Sequence, residues 1–211
     1  RNPEDDDLIQ MSIQPTAAAR LTDYPSDIPI SPDGRSIAFG AADSTGRFLW
    51  VRPLDTDEAR RVTPVPGDPE ENLSPFWSPD GREIAYFDNG KLKKVAVAGG
   101  IPVTLCDAKS GRGGSWNNDG VIVFSPEPEG PLLRVSAAGG EATAVTSLDS
   151  TRHETSHRFP HFLPDREHFL FAALPPGPNG FDVFVGSLKS TRVKKIATAA
   201  SAAIYAAPGY L

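Results

Sequence analysis

Apolar residues in this chain come in short runs that either alternate with polar ones or stand together four or five long, and each run is cut off by proline, glycine, aspartate or asparagine. Residues 8–14, with Ile9, Met11 and Ile13, and residues 92–98 alternate as half-buried strands do, while residues 83–87 form a compact apolar and aromatic run. No stretch holds apolar positions at helical spacing over a useful length. The pattern therefore predicts short strands throughout and an all-β fold. The Ala-rich residues 197–207 are read as a link into a further inner strand, with Ile204-Tyr205 standing where Phe76-Trp77 stand earlier.

The punctuation repeats. Ile30-Ser31-Pro32-Asp33-Gly34-Arg35 returns as Trp77-Ser78-Pro79-Asp80-Gly81-Arg82, then as Trp116-Asn117-Asn118-Asp119-Gly120, and in degenerate form as Phe162-Leu163-Pro164-Asp165-Arg166. The turn residues Asp33, Asp80, Asp119 and Asp165 are spaced 47, 39 and 46 positions apart, and Ala98-Gly99-Gly100 recurs 40 positions on as Ala138-Gly139-Gly140. Proline sets φ for the first turn position, aspartate bonds back to its own backbone, and Gly34, Gly81 and Gly120 accept a left-handed conformation. Four short antiparallel strands per period of this length are the signature of propeller blades. The expected layout is an N-terminal strand and linker in residues 1–23, then four blades in 24–204 (24–69, 70–112, 113–156 and 157–204). The start of a truncated next blade occupies 205–211. The chain is accordingly expected to be a piece of a longer protein, with exposed blade edges that favour self-association.

Composition narrows the function classes. With 21 basic against 27 acidic residues, the net charge of −6 has the wrong sign for a phosphate backbone, so nucleic acid is not an expected partner. The single cysteine, Cys106, excludes a disulfide framework and is read as a small packed residue. No run approaches the roughly 18 apolar residues of a membrane span, and residues 1–7 are acidic, unlike a signal peptide.

The Ser-Pro-Asp-Gly-Arg copies resemble the PD40, or WD40-like, repeat of TolB-type propellers. Over nearly the whole chain, residues 74–82, 90–95, 113–117, 159–165 and 205–211 are similar to the C-terminal propeller of large serine/threonine protein kinases of soil bacteria, of the acidobacterial type. The resemblance implies a sensor or docking platform on the extracytoplasmic, periplasmic side of a bacterial membrane. Alternatives are a TolB-like periplasmic assembly protein and the gating propeller of a prolyl-oligopeptidase-type peptidase. Two departures from the repeat stand out: Arg166 occupies the turn-glycine position, and Asn118 replaces proline in a copy one residue shorter.

Catalytic signatures are missing. There is no kinase Gly-rich loop with its lysine, no His-Arg-Asp, no Asp-Phe-Gly and no Gly-x-Ser-x-Gly. His153-Glu154-Thr155-Ser156-His157 matches a zinc-protease spacing, but Thr151, Thr155 and Pro160 argue against the helix that chemistry needs, so a surface loop is expected. Gly111-Arg112-Gly113-Gly114 lacks the Lys-Ser/Thr of a phosphate loop and reads as a connection between blades. Asp5-Asp6-Asp7 and the acidic residues at 55–58 read as solvated charge. No catalytic residue, cofactor or metal site is expected. The candidates for a ligand channel are Trp77, Trp116 and His161, with a protein, peptide or small molecule as partner. The tryptophans and their counterparts Ile30, Phe162 and Tyr205 serve either as core or as channel lining.

Overall fold

The computed structural model describes residues 19–22, 28–67, 72–174 and 180–205. They form four four-stranded antiparallel sheets in chain order, each running from an inner to an outer strand. The first holds β1 (Arg20–Leu21), β2 (Ser36–Asp43), β3 (Gly46–Pro53) and β4 (Arg60–Pro64). The second holds β5 (Phe76–Trp77), β6 (Glu83–Asp88), β7 (Lys91–Ala96) and β8 (Val103–Asp107). In the third are β9 (Gly114–Trp116), β10 (Val121–Phe124), β11 (Leu133–Ser136) and β12 (Thr143–Ala144). The fourth comprises β13 (Ser156–Phe162), β14 (His168–Leu174), β15 (Phe181–Ser187) and β16 (Ser190–Ala199). Among the described residues no helix is long and apolar enough to cross a membrane.

The second strand of each sheet explains why the apolar run there is unbroken. Ile84 and Tyr86 pack toward Leu49, Val51 and Val62 of the first sheet, whereas Ala85 and Phe87 pack toward Ile122 and Phe124 of the third. Val123 then joins Phe169, Phe171 and Ala173 of the fourth. A strand sandwiched between two blades has two dry faces, so the middle of β6, Ile84 to Phe87, is apolar throughout. Outer strands have one neighbour or none, and β16 is exposed along most of its ten residues.

The repeated turn is held by side chains. Ser78 Oγ donates to Asp80 (2.7 Å) and accepts the Glu83 N–H (2.9 Å), while Asp80 accepts the Arg82 N–H (3.1 Å). Ser31 and Asp33 repeat this set with the N–H groups of Ser36 and Arg35. The serine hydrogen bond, followed by the backbone N–H two residues on, holds the carboxyls of Asp33 and Asp80 below the usual range. In the third copy Asn117 takes over, accepting from the N–H groups of Asp119 (3.0 Å) and Val121 (2.9 Å), while the Asp119 carboxylate faces Arg166 at 3.5 Å. Asp165 caps the fourth turn through the N–H groups of Glu167 and His168. Gly34, Gly81 and Gly120 sit at φ 71°, 70° and 75°, and Arg166 keeps the same left-handed conformation at 65°.

The sheets shift some expected boundaries. Arg20–Leu21, within the segment read as linker, pairs with Ala41 and Ala42 of β2, so the first blade starts upstream of residue 24. Ile30 bridges Ile37 in the register Trp77 uses with Ile84. β13 opens at Ser156, one residue before the expected blade boundary. Chain beyond Ala199 is not helical up to Tyr205. The expected strand at residues 8–14, the acidic residues 5–7 and most of the truncated copy at 206–211 lie outside the described residues.

Candidate functional site

The four inner edges converge on a cavity of about 550 Å³. Ile28, Pro29 and Ile30 contribute from the first sheet, Pro75, Phe76 and Trp77 from the second, and Gly114, Ser115 and Trp116 from the third. Pro160, His161 and Phe162 come from the fourth, and Ala202, Ala203 and Ile204 follow β16. Trp77, Trp116 and His161 are thus brought to one wall, although they lie up to 84 positions apart in sequence.

Their roles differ. Trp77 is 8 % exposed, belongs to the core between the first two blades, and its indole N–H donates to the Pro29 carbonyl at 3.2 Å. Trp116 is half-buried, with the Lys94 ammonium 5.5 Å from the centre of its ring. His161 is half-buried. Burial pushes its imidazole below the ordinary range, partly opposed by a hydrogen bond with the Tyr205 backbone. Of their counterparts, Phe162 is buried, whereas Ile30 is 60 % exposed at the cavity.

A kink in the inner strand recurs at the cavity. Ser74, Gly113 and Phe159 stand three positions before Trp77, Trp116 and Phe162, and all have positive φ, at 37°, 90° and 51°. In the fourth blade it is a bulge, with the β13 to β14 register slipping between Arg158 and His161. All three residues line the cavity. Gly113 offers a sequence signal for this kink; Ser74 and Phe159 offer none, because neither favours a left-handed backbone.

Beside Trp116 a smaller cavity of about 350 Å³ lies between the second and third turns, walled by Ser78, Asp80, Glu83, Lys94 and Asn117. Lys94 is engaged there by Glu83 at 3.1 Å.

The histidine segment departs from the expected surface loop. His153 is exposed at the left-handed end of a single 3-10 turn, but Glu154 and His157 are buried. Glu154 accepts from the Asp149 N–H (2.6 Å) and Arg152 Nε (2.8 Å), and one of its oxygens lies 3.1 Å from His157 Nε2. His157 Nδ1 is 2.8 Å from Thr146 Oγ1. The reason is that His157 belongs to β13, where the inner strand is packed against the preceding blade. The two histidines therefore do not share a helical face. Among the described residues no group of three His, Cys, Asp or Glu side chains is placed to hold a metal ion. Cys106 packs against the core between the second and third blades, and burial, then the neighbouring Asp107, pushes its thiol up to about 11, far from a reactive thiolate.

No protein-family model matches the chain. Over 153 residues it is 28 % identical to the uncharacterized peptidase YuxL of Bacillus subtilis, a match that covers 68 % of this chain and 21 % of the peptidase. Among solved structures it is similar to TolB from Acinetobacter baumannii (TM-score 0.64, 14 % identity, 81 % of this chain and 43 % of that one). TolB from Agrobacterium tumefaciens gives a TM-score of 0.63 at 19 % identity, covering 80 % of this chain and 63 % of that one. A puromycin hydrolase gives 0.56 at 18 %, covering 80 % and 28 %. The fold is thus that of a blade-built β-propeller, and the chain spans only part of the length of each of these relatives.

Proposed function

We propose that this chain is a non-catalytic recognition module that takes a protein, peptide or small-molecule ligand into the cavity at its centre. The observation that carries the reading is the make-up of that wall: aromatic, aliphatic and proline side chains with a few polar groups, at a volume suited to a ligand. Of the polar side chains there, Ser115 Oγ accepts the Phe162 N–H and His161 bonds the Tyr205 backbone.

The parent we favour is a bacterial serine/threonine kinase bearing this propeller outside the cytoplasmic membrane, on the strength of the motif resemblance. A second reading, the propeller of a peptidase, is favoured by the match to YuxL. The TolB likeness supports a third, a periplasmic assembly protein. Extending the reading frame in both directions separates them. A kinase domain and an apolar segment of roughly 20 residues upstream is the expected result. A downstream domain with Gly-x-Ser-x-Gly, or a signal peptide without a kinase, replaces it with the peptidase or the assembly protein. The purified chain is expected to show neither peptide hydrolysis nor phosphoryl transfer; either activity overturns the non-catalytic reading.

A further inference from the structure

The smaller cavity between the second and third turns adjoins the central one. Pro79 and Trp116 line both, so the two spaces meet at these side chains. Their walls differ in character. The central wall is largely apolar, with Ile30, Phe76, Trp77 and Phe162, whereas Asp80, Glu83, Lys94 and Asn118 wall the smaller cavity beside Trp116.

The charges of the smaller cavity are met within the protein. The Lys94 ammonium lies 3.1 and 3.2 Å from the two Glu83 carboxylate oxygens and 5.5 Å from the centre of the Trp116 ring. Asp80 faces Arg82 at 3.9 Å. An entering ion therefore finds no uncompensated opposite charge, but capacity for hydrogen bonds remains. The Glu83 oxygens engage at most two of the three ammonium N–H groups, and a carboxylate has more lone pairs than Glu83 or Asp80 uses here. Asn118 is exposed and its amide both donates and accepts.

A lysine only donates and a carboxylate only accepts, and here the two stand side by side. A hydroxyl satisfies both, accepting from one and donating to the other. A ring that carries hydroxyls along its edge and C–H groups on its faces also suits an indole, whose π face is negative. The volume of about 350 Å³ has room for one such ring.

We infer that the smaller cavity takes a neutral sugar ring, and that the ligand is a glycoside whose apolar substituent passes Trp116 and Pro79 into the central cavity. This rests on the proposed recognition role of the central cavity and adds the chemical class of the ligand and its direction.

The test is calorimetric titration of the purified chain. The probes are the hexyl β-glycosides of glucose and galactose, kept below micelle-forming concentrations, the two methyl β-glycosides, and 1-hexanol. Saturable binding of a hexyl glycoside is expected, tighter by about tenfold or more than both its methyl counterpart and hexanol. Ala138 is an exposed wall residue of the smaller cavity. Ala138→Phe fills that cavity from its open side and is expected to reduce the hexyl glycoside to the level of hexanol, with hexanol binding and the unfolding midpoint unchanged. The double variant Glu83→Gln with Lys94→Met removes both charges without leaving either unpaired, and the same loss is expected. Hexyl glycosides binding no tighter than hexanol, or unaffected by Ala138→Phe, would overturn the sugar site and leave the recognition role standing. Methyl glycosides binding as tightly as hexyl ones would overturn the passage into the central cavity. No binding by any probe would overturn the sugar site and the recognition role together.

Discussion

At the level of single residues, the turns show how little chemistry separates one copy of the repeat from another. Ser78, Asp80 and Gly81 close the second turn with three side-chain hydrogen bonds and one left-handed glycine. The third copy reaches the same shape through Asn117, whose amide oxygen accepts the two N–H groups. Asp119 was expected to do this from its place in the repeat. The hydrogen bonds fall to Asn117 because its side chain reaches both donors from the position serine holds elsewhere. Arg166 is the costly residue of the fourth copy, since a side chain at φ 65° loses about 1 kcal/mol against glycine. Its backbone carbonyl still accepts Asn117 Nδ2 at 2.7 Å, a bond glycine would keep. Arg166→Gly is therefore expected to stabilise the protein by about 1 kcal/mol, read as a higher urea midpoint with an unchanged slope. A lower midpoint would show that the contact with Asp119 outweighs the backbone term.

Among the elements, the seam between the third and fourth blades carries the most polar structure. The Gly130 N–H donates to the Thr155 carbonyl and the His157 N–H to the Gly130 carbonyl, both at 2.9 Å. Thr146, just after β12, accepts the Leu132 N–H (2.9 Å) and contacts His157 across the seam. Burial, the largest influence, and Arg152 push the His157 imidazole below its ordinary value of about 6.5, while Glu154 opposes them. Its ring also lies 4.7 Å from that of Phe171. A base whose folded pKa lies below its unfolded one contributes stability that is complete above about pH 6.5 and is lost as the pH falls toward the folded pKa. His161 acts in the same direction. The urea midpoint is thus expected to drop between pH 7 and pH 5.5. His157→Gln replaces the imidazole with a polar side chain that does not titrate and should flatten that drop; an unchanged slope would assign it elsewhere. The match to a zinc-protease spacing hid this seam, because the sequence does not reveal which blade the strand from Ser156 packs against.

For the whole molecule, stacking decides which surfaces remain open. Ile37, Phe39 and Ala41, on the face of the first sheet turned away from the second, are buried and pack with Leu21, Ile28 and Leu54. Leu170 and Ala172 of the fourth sheet are buried as well. Ile30 and Ile204 are exposed at the cavity, while at the outer edge of the second sheet Ile101, just before β8, is 92 % exposed and Val103, the first residue of β8, 50 % exposed. By contrast β16 carries Arg192, Lys194 and Lys195, charges that discourage pairing. We therefore place the expected self-association at β8. In sedimentation velocity the chain should show concentration-dependent association that Ile101→Lys and Val103→Lys together weaken. Association unaffected by both would move it to another surface.

Strands, turns and the propeller class were legible in the sequence because they rest on local chemistry. A proline, an aspartate and a glycine at fixed spacing determine a turn wherever they occur, and an apolar run between turns determines a buried strand. The inner-strand placement of Trp77 and Trp116 was legible for the same reason, by their fixed offset from each turn. The tertiary structure alone decided what depends on the meeting of distant residues. It joined Ile30 to Ile37, buried Glu154 with His157, and set Arg112 beside Phe159, 47 positions away. The kinks at Ser74 and Phe159 belong there too, since a left-handed backbone at a non-glycine residue is held by packing around it and not by its own preference.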